Sequence, residues 1–130
     1  MSLQDMLRDP KAKRPITCTL YGAPGVGKTT AACTWFPKPI VIAVEDGLAS
    51  LGDNQPAATP LIQQFGQIEE FIRTLAKEEH DYQTLVIDSI TRAARMAETE
   101  LCAREGKGIN AVMGGYGAGR NWIAEQLQNL

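Results

Sequence analysis

Short apolar runs alternate along this chain with longer stretches of helical periodicity. Ile16-Thr-Cys-Thr-Leu-Tyr21 has the composition of a β-strand. Pro39-Ile-Val-Ile-Ala-Val44 is a continuous apolar run of strand length, as expected for a parallel strand buried on both faces. Thr84-Leu-Val-Ile-Asp88 is a further buried strand that ends in an acid, and Thr59–Gln63 fits a short edge strand. Between these runs, helices are predicted over Lys28–Phe36, stopped by Pro37-Lys-Pro39, and over Gln67–Glu79, where Ile68, Phe71, Ile72 and Leu75 share a face. Two more helices are predicted over Ser89–Arg104, with Ala93, Ala94, Ala97 and Leu101 among its less polar positions, and over Arg120–Leu130, with Trp122, Ile123 and Leu127 on one side. Residues 48–60 are irregular, broken by Gly52, Pro56 and Pro60. Strand and helix alternate without an internal repeat, so the class is α/β with a mostly parallel sheet. Cys18, Cys33 and Tyr21 fall on core-like segments, and Trp35 and Trp122 read as packing residues.

Composition narrows the picture. With 130 residues and 44% hydrophobic positions, the chain is one domain or part of one. A net charge of −2 provides no global basic field for nucleic acid. Residues 1–15 form a polar arm in which Lys11, Lys13 and Arg14 could touch a phosphate backbone or simply be solvated. The three cysteines have no paired or metal-ligand spacing, which fits a reducing compartment. The N-terminus lacks the apolar segment of a signal peptide, and no run approaches the ~20 apolar residues of a membrane span. A cytoplasmic protein without a membrane partner is expected.

The candidate chemistry begins with Gly22-Ala23-Pro24-Gly25-Val26-Gly27-Lys28-Thr29, the G-x-x-x-x-G-K-[ST] pattern of the phosphate-binding P-loop, followed by Thr30. A polyphosphate is a dense anion and needs many donors in a small space. Glycines let successive backbone N–H groups turn inward, Pro24 stiffens the loop, and the helix opening near Lys28 adds its positive end. Lys28 has the reach for β- and γ-phosphates, and the Thr29 hydroxyl suits Mg²⁺. The match sits between a strand-like run and a helix, as the mechanism requires.

Acids at strand ends are the second layer. Leu85-Val-Ile-Asp88 has the Walker B form, placing a carboxylate where it can orient the water shell of Mg²⁺. Asp88 could instead cap the following helix, but Ser89 is available for that role. Glu45 also follows a buried strand. It can orient or deprotonate an attacking water, or be a polar turn residue; Asp46 is a weaker candidate for the same work. In AAA+ ATPases the catalytic Glu directly follows the Walker B Asp. Ser89 holds that position here, so a base must come from elsewhere, and Glu45 is the best candidate. His80, the single histidine, reads as a surface-loop residue.

Together, Ile40-Val-Ile-Ala-Val-Glu45-Asp-Gly-Leu48, Thr84-Leu-Val-Ile-Asp88-Ser89 and Gly115-Tyr-Gly-Ala-Gly119 resemble segments of the phage-encoded RecA-like nucleotide-binding proteins. These form a P-loop ATPase family linked to single-strand annealing and recombination. The likeness runs from about Ile16 to the C-terminus. It implies a P-loop NTPase, RecA-like three-layer α/β/α domain over 16–130, with ATP and Mg²⁺ at the loop and Glu45 polarising water. It also implies a host-cell location, assembly into a ring or filament, and a single-stranded DNA surface near the glycine segment. There Tyr116 can stack on a base and Arg120 can meet phosphate; the alternative is a connection whose glycines only cap and turn. RecA-like domains place a further strand between the P-loop strand and the Walker B strand, encoded beyond the position where this chain stops. The domain is therefore expected to be truncated or completed by another chain, with phosphate binding retained and hydrolysis weakened. A small-molecule phosphotransferase using Arg92, Arg95 or Arg104 as a lid stands as the alternative, as does a non-catalytic, nucleotide-dependent DNA-binding module.

Overall fold

The computed structural model describes residues 1–7 and 15–130. Lys11, Lys13 and Arg14 of the expected arm lie outside the described residues. The single turn α1 (Leu3–Met6) is capped by Ser2, whose backbone N–H and hydroxyl both donate to Asp5 and hold that carboxyl below its usual range.

The sheet is built from β1 (Pro39–Ala43), β2 (Ala57–Ala58) and β3 (Thr84–Asp88), all parallel, in the order β2-β1-β3. β1 is central, which accounts for its unbroken apolar sequence. Ile42 and the following Val44 point into one layer, packed with Phe65, Ile68, Ala93, Ala97 and Ile123. Val41 and Ala43 point to the other, packed with Cys33 and Leu48. The period of two divides one apolar run between two cores. α2 (Lys28–Thr34) covers the Val41 face. α3 (Phe65–Lys77), α4 (Ile90–Glu105) and α5 (Ala118–Gln128) cover the Ile42 face. This is the expected three-layer α/β/α arrangement.

α4 buries Ala93, Ala97 and Leu101 at four-residue intervals, a narrow stripe that brings the helix close to the sheet. Ser89 accepts from the Arg92 N–H at its start, and Gly106 in the left-handed region ends it. The predicted helices are found within two residues or so of their expected ends.

The run 16–21 departs from expectation. It forms no strand, and Ile16 and Tyr21 are 89% and 100% exposed. Cys18 is exposed as well, whereas Cys33 is buried as expected. Among the described residues no strand lies beside this run to accept its N–H groups or donate to its carbonyls. Among those residues the edge of β3 away from β1 is also unpaired, and Leu85 is 38% exposed there. β-Propensity reports fit to a pleated, half-covered surface, so a run without neighbours does not express it. Trp35 also departs from expectation: it follows the end of α2 and is 77% exposed, while Trp122 packs against the core. β2 forms before Thr59 rather than after it. The Thr59 and Ile62 N–H groups still donate to Val41 and Ala43 carbonyls, but Pro60 between them has no N–H to extend the ladder.

Candidate functional site

The site lies where β1 and β3 end. The loop 22–27 enters α2 through Gly25 and Gly27, both at positive φ (81° and 98°). Gly22 sits tightly: a Cβ there would stand 2.9 Å from Val26 Cγ2, so the Val26 side chain would have to shift. Ala23, Pro24 and Val26 are exposed on the loop. Lys28 reaches back, its Nζ donating to the carbonyls of Gly22 and Ala23, so the ammonium sits within the curve of the loop. Thr30 is exposed on the first turn of α2, and its carbonyl accepts from the Thr34 hydroxyl.

One contact ties this loop to the sheet. Thr29 Oγ1 donates to Asp88 Oδ2 at 2.8 Å, joining residues 59 positions apart. The ladder between buried β1 and half-buried β3 sets the height of Asp88, and the first turn of α2 sets that of Thr29. Gly47 borders the same pair: a Cβ built on it would lie 3.7 Å from both Asp88 Oδ2 and Thr29 Oγ1. An oxygen pair with open space beside it suits a hard cation such as Mg²⁺, which takes few protein ligands and keeps waters and substrate phosphates. Among the described residues no group of three or more His, Cys, Asp or Glu could hold a metal unaided. Beneath the site, burial and then the negative charge of Asp88 push the Cys33 thiol up from its ordinary value.

Glu45 belongs to the same cluster. The N–H groups of Val44 and Glu45 both donate to the Asp88 carbonyl, at 2.8 and 3.0 Å. Its carboxylate accepts from Ser89 Oγ at 2.8 Å. Glu45 is exposed and also borders a groove of about 480 Å³ walled by Asp46, Leu48, Pro56, Thr59 and Leu61. Asp46 is exposed beside it. Lys28, Thr29, Glu45 and Asp88 are expected site residues that lie together here, whereas Gly47 carries no expected site role and Ser89 only a capping one. A glycine directly after two strand-end acids was the available signal for Gly47; the Ser89–Glu45 bond had none, because it depends on strand register.

The glycine-rich segment lies elsewhere. The Met113 N–H donates to Glu105 Oε1 at the last residue of α4, whereas Asp88 and Ser89 precede its first. A helix of 16 residues is ~24 Å long, so the segment is held at the opposite end of α4 from the loop 22–27. Tyr116 is 105% exposed at φ 56°, and Arg120 is exposed on α5. Gly117 opens α5 from the left-handed region, and Gly119 is a packing residue: a Cβ there would fall 2.3 Å from Val112 Cγ2. These two glycines have structural reasons of their own. Arg104 lies over the Trp122 ring, 5.4 Å from its centroid, and His80 is an exposed loop residue whose Nε2 meets the Leu75 carbonyl.

A parallel α/β sandwich with a glycine loop opening a helix, and with a threonine bonded to an acid at the end of a nearby strand, defines the P-loop class of domain. Within that class the chain belongs to an AAA domain family, whose model matches residues 14–130. No curated protein and no solved structure matches the chain. No helix among the described residues is long and apolar enough to cross a membrane.

Proposed function

We propose that this chain binds Mg-ATP at residues 22–30 and hydrolyses it in the service of DNA recombination or single-strand annealing. The observation that carries the nucleotide reading is the Thr29–Asp88 bond, which unites the loop and the strand-end acid at one point. Family membership supports the same reading. Bound Mg²⁺ would supply neutralisation of phosphate charge. The chain's own residues do the rest. Backbone N–H groups of residues 23 and 25–29 would surround the phosphates, Lys28 brings a mobile positive charge, and Thr29 and Asp88 would hold the cation. Glu45, anchored to Asp88 through its backbone, directs a carboxylate at a water in line with the γ-phosphate.

Turnover by this chain on its own is expected to be slow, because among the described residues the segment that carries the loop has no sheet partner to fix it. The role in DNA metabolism rests on the resemblance of the 115–119 segment and on the exposure of Tyr116 and Arg120. A ring or filament, phage origin and a host-cytoplasm location rest on that resemblance alone. Arg104 lies in the last turn of α4, at the opposite end from the loop 22–27, which argues against its use in a phosphotransferase lid. The unpaired 16–21 run favours a second reading, a nucleotide-dependent DNA-binding module without turnover. Steady-state ATPase measurements with and without poly-dT, alongside nucleotide binding by calorimetry, test the proposal. Mg-dependent binding with turnover supports it; binding without turnover selects the module; no binding ends both.

A further inference from the structure

The residue after Asp88 holds two elements of the site at once. Ser89 Oγ accepts from the Arg92 N–H at 3.2 Å, closing the first turn of α4, and donates its single proton to Glu45 Oε1 at 2.8 Å. A hydroxyl has one proton and two lone pairs, so both bonds form together and each fixes the direction of the other. Glu45 is otherwise an exposed side chain just past the end of β1. Its backbone is pinned to the Asp88 carbonyl, but among the described residues the Ser89 bond is the one hydrogen bond made by its carboxylate.

We propose that Ser89 is a positioning residue for Glu45, holding one carboxylate oxygen so that the other is presented to the attacking water. The inference rests on the reading of Glu45 as the water-directing acid. It also makes the first turn of α4 part of the catalytic geometry: the hydroxyl that orients the acid is oriented by the cap. A carboxylate free to rotate about its side-chain torsions spends less time in the productive pose, which lowers kcat and leaves nucleotide binding untouched.

The test separates capping from positioning. Gly is nearly as good as Ser at an N-cap yet has no hydroxyl, whereas Thr keeps the hydroxyl and most of the capping strength. Wild type, Ser89→Gly, Ser89→Thr and Glu45→Gln are compared for kcat, KM, nucleotide affinity and melting temperature. The expected result is a kcat about tenfold lower for Ser89→Gly, with KM and nucleotide affinity unchanged and a melting temperature close to wild type, and recovery to within about threefold in Ser89→Thr. Adding Ser89→Gly to Glu45→Gln is expected to cost nothing further, because the group being positioned is gone. If Glu45→Gln abolishes turnover while Ser89→Gly turns over like wild type, the positioning role is wrong and the reading of Glu45 stands. A lowered kcat that tracks a lowered melting temperature, or that persists undiminished in the Glu45→Gln background, also overturns it. If wild type and Glu45→Gln bind nucleotide and hydrolyse it equally, or not at all, the catalytic reading of Glu45 falls, and this inference falls with it.

Discussion

Two glycine-rich loops in this protein open helices in the same way. Residues 22–27 lead into α2 through Gly27 at φ 98°, and residues 114–117 lead into α5 through Gly117 at φ 79°. The backbone device is shared, and the surroundings are not. The first loop stands at the carboxyl ends of parallel strands, where Thr29 meets Asp88 and a lysine folds into the curve. The second is tied to the far end of α4 through Glu105 and is locked by Gly119 beneath Val112 and Ile109. A glycine turn with helix N–H groups behind it becomes a candidate anion site only where the fold also supplies charge and a metal-ordering acid. At 114–117 the same turn opens a helix without those groups beside it.

The largest test of that contrast is Lys28→Ala. It removes the one cation inside the first loop, and nucleotide binding is expected to fall beyond detection by calorimetry; a charge-assisted contact contributes about 1.5–3 kcal/mol before its cooperation with the backbone donors. Unchanged affinity would break the assignment of the loop. Glu45→Gln comes next. It is expected to leave affinity intact and to lower turnover about 100-fold or more, the usual range for loss of a positioned base.

Gly119→Ala probes the second loop. A methyl 2.3 Å from Val112 Cγ2 forces repacking, with a loss of about 1–3 kcal/mol seen as a lower melting temperature and no specific effect on nucleotide affinity. A stable Gly119→Ala with damaged nucleotide binding would show that the two loops communicate. Tyr116→Ala and Arg120→Ala are expected to change neither stability nor nucleotide affinity, since both residues are exposed. If the DNA proposal holds, poly-dT binding weakens by about 1–3 kcal/mol for the tyrosine. Unaltered binding would leave the second loop with a structural role alone.

Thiol labelling gives the smallest effect and bears on the segments around the first loop. Cys18 is expected to react at once in the native protein, and Cys33 only on unfolding. Burial and Asp88 both raise the Cys33 pKa, so its thiolate is scarce in the fold up to and beyond the ordinary thiol value near 9.0. As pH rises past that value the unfolded thiol ionises first, so this group contributes stability below it and loses that contribution above. Protection of Cys18 in the native protein would mean that the 16–21 run is covered in solution.

Local chemistry was legible in the order of residues. The motif 22–29, the split burial of 39–44, the strand 84–88 and the cap at Ser89 each follow from a few neighbouring residues and a period of 2 or 3.6. What could not be read from order alone depends on partners distant in the chain. The 16–21 run has the composition of a strand, yet a strand exists only when another backbone lies beside it. Tyr21 and Trp35 look like core residues, but burial belongs to the surface that meets them, and none does here. Periodicity fixes which face of an element is apolar. Only the packed fold decides which ends of elements meet, and so placed Thr29, Glu45, Asp88 and Ser89 together and held the glycine segment apart, because register and helix length are sums over many residues rather than properties of one motif.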